Sequence, residues 1–374
     1  MNRAGLAAKV TSVVIKIGTN ALSGPDGRLD HGVINALVED LAILYRQRNI
    51  RITLVSSGAI GAGMTEMNLA TRPRDLPMLQ AAAAIGQSLL MNYFATAFKP
   101  HGLCAGQILV TRQDFEDRLR YLNLRNCITA LHQSNAVPII NENDAVAVDE
   151  IKFGDNDLIA AQVTNLLRAD LLILLSVVDG LLDADGKVQS IVQDVDESIT
   201  GMVRAEKSSR GSGGMGGKLF AAGTVRTAGE PVIIANGKTP GIVGKLLSGA
   251  ELGTLLLPGR RKLSARSRWI GLTARPCGTL IIDAGAAKAL NNNKSLLASG
   301  IMSSEGDFSR GDAVAIVDPQ GQRLAMGLTN YSRSEVETIR GHKSREFSRL
   351  LGTDTWYDEV VHRDDLVLKE NATQ

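Results

Sequence analysis

Val13-Val14-Ile15-Lys16-Ile17-Gly18 carries one charged residue inside an otherwise apolar run. A run this short and this uniformly apolar, closed by glycine, reads as a strand buried on both faces rather than a surface helix. Burying an unpaired ammonium there is costly, so Lys16 calls for an anionic partner or ligand. The bland alternative is a lysine that snorkels out from a sheet edge.

Working outward, the same pattern recurs at 10–17, 51–56, 104–110, 137–140, 171–177 and 231–235. Helical patterns at 31–48, 79–99, 121–134 and 157–168 lie between these runs. In the last of them Ile159, Val163, Leu166 and Leu167 recur at helical spacing. Such alternation predicts an α/β fold, a mostly parallel sheet sandwiched by helices. Ligands of such sheets gather beyond the carboxyl ends of the strands. Gly18 follows the first run, Ser57-Gly58 the second, and the cluster 141–144 the fourth.

A second lysine closes Gly211-Ser212-Gly213-Gly214-Met215-Gly216-Gly217-Lys218. Its glycines allow several backbone N–H groups to converge on one anion, and Lys218 adds a point charge. A flexible surface turn is the competing reading. The stretch is not a Walker A loop: Ser212 stands where the first glycine belongs, and Leu219 where a magnesium-binding hydroxyl is needed. Two lysines poised for phosphate at opposite ends of one domain point to phosphoryl transfer, where positioning and charge neutralisation dominate.

Length and composition set the frame. The 374 residues are long for one core, so two domains are expected. A hydrophobic content of 44% excludes wholesale disorder, and no apolar run approaches the roughly 20 residues that span a bilayer. Residues 1–9 lack the layout of a secretory signal, and three scattered cysteines fit a reducing, cytoplasmic setting rather than a disulfide framework or zinc site. A formal charge of +2 gives no general push towards nucleic acid. From residue 258 a basic stretch opens with Pro-Gly and reads as a connector. The expected division is 1–257, a linker over 258–277, and a small β-rich domain with its tail over 278–374. That last part holds 11 Lys+Arg against 14 Asp+Glu, which weighs against an RNA-binding surface.

Polar clusters mark the strand ends. Asn141-Glu142-Asn143-Asp144 follows the fourth run, and Gly154-Asp155-Asn156-Asp157 opens the next helix. Asp and Asn are preferred helix caps, so one of the second group is expected to be structural. The remaining carboxylates could hold the lysines through ion pairs. The amides suit the amine and carboxylate of a zwitterion. Ser56-Ser57-Gly58-Ala59-Ile60-Gly61-Ala62-Gly63 makes a further turn of small residues, not spaced for a dinucleotide.

Together Lys16-Ile17-Gly18-Thr19-Asn20, Ser57-Gly58-Ala59-Ile60, 141–146, 154–157 and Gly213-Gly214-Met215-x-x-Lys218 resemble, in order, the pattern of the bacterial glutamate 5-kinases of the amino acid kinase family. The tail, through 308–312 and 361–365, resembles an appended PUA domain. The resemblance implies transfer of phosphate from Mg-ATP to the γ-carboxylate of L-glutamate, as the first step of proline synthesis. It places Lys16 and Lys218 about the transferred group, with Asp157, or else Asp155, organising them. Ser57, Asp144 and Asn156 correspond to glutamate-binding positions. Lys16, Ser176, Val177, Gly213, Gly214, Met215, Gly216, Gly217 and Lys218 correspond to ATP contacts. No residue is assigned as a metal ligand, and Mg2+ accompanies ATP. No general base is needed, because a carboxylate is already ionised at neutral pH. Proline as a feedback inhibitor and a dimer or tetramer follow from the same likeness.

The chain departs from that pattern at Ser176-Val177, where the family shows Thr-Asp, and at Leu181-Leu182, where an aromatic residue commonly lies beside adenine. The alternatives are another enzyme on the same scaffold, acting on a different carboxylate, carbamate or a nucleoside monophosphate, and an RNA-binding accessory protein built around the tail.

Overall fold

The computed structural model describes residues 2–24, 28–147, 156–183, 185–193 and 214–369. The chain divides into two compact units, one of Met1–Asp114 with Leu119–Arg260, the other of Phe115–Arg118 with Arg261–Gln374.

The first unit is built on an eight-stranded sheet, in the order β3-β4-β2-β1-β5-β7-β8-β6. The strands are β1 (Ser12–Ile17), β2 (Arg51–Ser56), β3 (Cys104–Val110), β4 (Ala136–Glu142), β5 (Leu171–Ser176), β6 (Ile191–Val192), β7 (Val232–Asn236) and β8 (Thr254–Leu256). All neighbouring pairs are parallel except β7 with β8. β1 sits between β2 and β5, with every residue buried, and Lys16 lies in register with Val55 and Leu174. From β1 the chain continues to β2 on one side and later returns as β5 on the other. The carboxyl end of β1 is therefore the point where a cleft opens in a doubly wound sheet.

β1, β2 and β5 are fully buried over almost their whole length, which is why they read as unbroken apolar runs. Ile15, Ile17, Leu54, Leu171 and Ile173 form the core with Phe94 and Phe98 from the helix Leu76–Phe98. Each such side chain contributes about 1.5–3 kcal/mol on burial.

Two contacts fix the helices that carry the site. A Cβ on Gly63 would fall 1.8 Å from Ala82 O, and one on Gly86 would fall 1.8 Å from Ala59 O. The helices Ala59–Glu66 and Leu76–Phe98 thus touch backbone to backbone, which only glycine allows. At the amino-terminal end of the central strands Asp170 Oδ2 accepts from the N–H and hydroxyl groups of both Thr11 and Ser12, at 2.8–3.0 Å. Asp170 lies in the turn between the helix Asn156–Leu167 and β5, so it ties that turn to the start of β1.

The glycine-rich stretch 211–218 differs from its reading as a loop. Gly214 is extended, and from Met215 the chain is helical through Thr227. Leu219, Ala221, Ala222 and Val225 bury one stripe of this helix, and that packing outweighs the poor helix propensity of Gly216 and Gly217. Residues 211–213, Gly213 among them, lie outside the described residues, as do Gly154 and Asp155.

The second unit holds a five-stranded sheet, in the order β10-β9-β11-β12-β13, formed by Gly278–Ile282 (β9), Ile301–Gly306 (β10), Ala313–Val317 (β11), Arg323–Leu328 (β12) and Leu366–Leu368 (β13). Leu280, Ile282, Val314, Ile316, Tyr331 and Phe347 fill its core. Within the stretch 258–277, Ala265–Leu272 is a helix of this unit, and Trp269 Nε1 donates to Phe115 O at 3.0 Å. No helix among the described residues is long and apolar enough to cross a membrane.

Candidate active site

The helix Asn156–Leu167 packs against β1 and brings Asp157 to Lys16. Lys16 Nζ lies 2.8 Å from Asp157 Oδ1, and Lys218 Nζ donates to Asp157 Oδ2 at 3.1 Å. All three side chains are more than nine-tenths buried. Burial alone would push the Asp157 carboxyl up, but the two ammonium groups outweigh it and hold the pKa below the usual carboxylate range. Two cations thus face one anion in a region of low dielectric, where charge interactions are stronger than at the surface.

Lys218 stands in the first turn of the helix Met215–Thr227, whose N-terminal residue Gly214 has no side-chain cap. Gly217 N–H donates to Gly214 O at 3.1 Å, and the first N–H groups of a helix lack intrahelical acceptors, which is why helix N-termini can hold phosphate. A Cβ on Gly217 would come within 4.0 Å of Asp157 Oδ2, so this turn lies against the same carboxylate.

Next to Asp157, Asn156 Nδ2 donates to Ser57 Oγ at 2.9 Å and to Asn141 Oδ1 at 3.0 Å. Asn141 Oδ1 also accepts from Glu142 N at 2.9 Å, and Asn141 Nδ2 donates to Gln87 Oε1 at 2.8 Å. Gln87, Asn141 and Asn156 are buried at 8%, 2% and 9% exposure. Ser57 follows β2 and precedes Gly58, whose φ of 111° starts the helix Ala59–Glu66. Glycine tolerates that left-handed backbone without strain.

The structure therefore brings together Lys16, Asp157 and Lys218, and joins Asn156 to Ser57. Asp144 stands in the turn after β4, where burial pushes its carboxyl up to about 6 against the opposing pull of Arg72. Ser176 ends β5 half-buried, while Val177 is 47% exposed. Asp179 Oδ1 accepts from Asn236 Nδ2 at 2.8 Å at the end of β7. Leu181 is buried and Leu182 exposed. Sequence reasoning assigned no role to Gln87 and none to Asn141 individually. The signal for Gln87 was one amide on the buried face of a helix otherwise rich in alanine and leucine.

Both oxygens of Asp157 face ammonium groups, and no cluster of three His, Cys, Asp or Glu able to cage a metal occurs among the described residues.

The model of the amino acid kinase family matches residues 11–236, and that of the PUA domain matches residues 278–351. The chain is 43% identical to the glutamate 5-kinase of Caldanaerobacter subterraneus subsp. tengcongensis, over 96% of this chain and 98% of that protein. It is 45% identical to the glutamate 5-kinase of Trichlorobacter lovleyi, over 99% of this chain and 100% of that protein. A solved carbamate kinase from Giardia lamblia, bound to AMP-PNP, is 18% identical with a TM-score of 0.47, covering 67% of this chain and 99% of that one.

Proposed function

The chain belongs to the glutamate 5-kinases of the amino acid kinase family, and from that premise we infer that it moves the γ-phosphoryl group of ATP onto the γ-carboxylate of L-glutamate. The products are L-glutamyl 5-phosphate and ADP. The enzyme is a phosphotransferase with a carboxyl acceptor, serving the first step of proline synthesis. The observation that carries the reading is the convergence of Lys16 and Lys218 on Asp157, beside the Asn156–Ser57 pair.

The chemistry follows from those side chains. A γ-carboxylate oxygen attacks the γ-phosphorus, and the bond to the bridging oxygen of ADP breaks in line with it. Charge spreads over the equatorial oxygens in the transition state, and the two ammonium groups stabilise it there. Asp157 keeps both lysines aimed at one point, so less reorganisation is needed as charge moves. Gly214, Met215 and Gly216 offer backbone N–H groups to the phosphates, while Gly217 keeps the turn against Asp157, and Gly213 corresponds to a further ATP contact by resemblance. Ser176 and Val177 take the nucleotide side. Ser57, Asn156 and Asp144 take the amino acid, the amide and carboxylate serving its ammonium group. Mg2+ bound to the ATP phosphates would neutralise part of their charge beside Lys16 and Lys218.

Hydroxylamine trapping tests the reading. Glutamate and Mg-ATP should give a hydroxamate, with aspartate and N-acetylglutamate far slower. Equal rates with all three acceptors, or none with glutamate, would overturn it. Proline feedback, a dimer or tetramer, and a cytoplasmic location extend the reading, supported by family resemblance. Proline titration and light scattering on the purified protein test the first two.

A further inference from the structure

The buried amides behind the amino-acid subsite have a fixed polarity. Glu142 N–H is a backbone donor and cannot exchange roles, so the atom of Asn141 that faces it at 2.9 Å is an oxygen. That leaves Asn141 Nδ2 facing Gln87, whose oxygen accepts at 2.8 Å. Asn141 Oδ1 in turn requires a donor from Asn156, and Nδ2 of Asn156 supplies it at 3.0 Å while its second hydrogen goes to Ser57 Oγ at 2.9 Å. Both N–H bonds of Asn156 are thereby used. Its Oδ1 is buried and accepts no hydrogen bond from a described residue, and the Ser57 hydroxyl, already an acceptor, keeps its own hydrogen to give. An acceptor and a donor side by side match the ammonium and carboxylate of an amino acid.

We propose that Gln87 is a positioning residue for the amino-acid subsite: through Asn141 it holds Asn156 with its carbonyl oxygen turned to the substrate's ammonium group. The inference rests on the reading of glutamate as acceptor and adds a residue that touches no substrate. Gln87 is in place because Gly86 lets its helix approach the helix Ala59–Glu66 at backbone contact. Without Gln87 Oε1 the Asn141 amide nitrogen is buried with its partner gone. Glu142 N–H still holds Asn141 Oδ1, so relief comes from tilting the Asn141 side chain about that bond, which lengthens its contact with Asn156 and loosens the aim of the Asn156 carbonyl oxygen.

The test is steady-state kinetics on the full-length chain, with Gln87→Met removing the acceptor at similar volume and Gln87→Glu keeping an oxygen where Asn141 needs it. For Gln87→Met the expected result is a KM for glutamate raised about tenfold, the scale of one lost hydrogen bond to a charged group. Its KM for Mg-ATP and its kcat stay within about twofold of wild type. Gln87→Glu should recover most of the glutamate KM. A purely packing role predicts no such split between the substrates and no rescue. An unchanged glutamate KM in Gln87→Met, a parallel rise in the ATP KM, or a Gln87→Glu variant as impaired as Gln87→Met overturns the inference. Should Gln87→Met prove insoluble, Gln87→Glu decides alone, since a tenfold rise there removes the proposed role and a near-normal value supports it. Wild-type hydroxamate formation is measured first. Its absence overturns both readings, whereas an active wild type with an indifferent Gln87→Met overturns this one only.

Discussion

Lys16 Nζ and Asp157 Oδ1 lie 2.8 Å apart, both side chains buried, with Lys218 on the other carboxylate oxygen. Removing one member leaves uncompensated charge in the interior. Asp157→Asn should lower stability by about 3–5 kcal/mol, as for other broken buried pairs. Turnover should fall by two orders of magnitude or more as the lysines lose their aim. Lys16→Ala and Lys218→Ala should each reduce kcat by a similar factor with the fold retained, through loss of transition-state charge stabilisation. Thermal melts and single-turnover kinetics on the three variants check this. Near-normal turnover in either lysine variant removes that lysine from the mechanism.

Asp144 supplies a pH dependence. Burial raises its carboxyl to about 6, so the group gains a proton as pH falls through that value, well above the usual range for aspartate. A protonated Asp144 cannot pair with the substrate's ammonium. The KM for glutamate should therefore rise below pH 6, by up to about tenfold per unit of pH. Asp144→Asn should flatten this profile at a raised KM. The sign for folding is opposite to that of a salt-bridged aspartate: desolvation of the carboxylate costs stability above pH 6, and the cost fades as pH drops towards 4.

The close approach of two helices should be sensitive to a single methyl. Gly86→Ala places a Cβ against Ala59 O, and Gly63→Ala places one against Ala82 O; backbone on both sides leaves little room to yield. Each should lower stability by about 1–3 kcal/mol or more. Gly86→Ala should also raise the glutamate KM, because Gln87 is the next residue. Gly223→Ala has open space around the added methyl and serves as the control. Differential scanning calorimetry and substrate titration read both effects.

Nucleotide affinity should respond at Val177, which ends 47% exposed just beyond β5, while the nearby Asp179 carboxylate is occupied by Asn236. Restoring the family's carboxylate with Val177→Asp should lower the KM for Mg-ATP several-fold and leave the glutamate KM unchanged. Comparing ATP and GTP in wild type and variant measures it. A wild type with ordinary ATP affinity and a strong preference for ATP over GTP removes the basis for this prediction.

Much of this architecture was legible because it rests on local chemistry. The buried strands announced themselves through uninterrupted apolar runs, and Lys16 stood out as the one charge within such a run. An ion pair between the lysines and the 154–157 carboxylates could be suggested from burial cost, but the choice of Asp157 came from resemblance, since residues distant in sequence meet through strand order. The edge strand β6 and its neighbour β8 are two and three residues long, too short for any periodicity to show. The helix at Met215 was hidden by its own glycines, because packing of Leu219 and Ala222 overrides propensity. Gln87 escaped notice since one of three amides in an alanine-rich helix has many bland explanations until its partners are seen.

Asp170 gives the site a second anchor. The helix that presents Asn156 and Asp157 is 12 residues long, about 18 Å, and the turn after it is clamped to the first residues of the strand that bears Lys16. Strand and helix are thus bolted together at both ends, by an ion pair at one and by Asp170 at the other, into a rigid rectangle. One long side cannot slide along the other without breaking both bolts. Adaptation to a longer or shorter acceptor on this scaffold must come from residues outside the rectangle, since its own dimensions are locked.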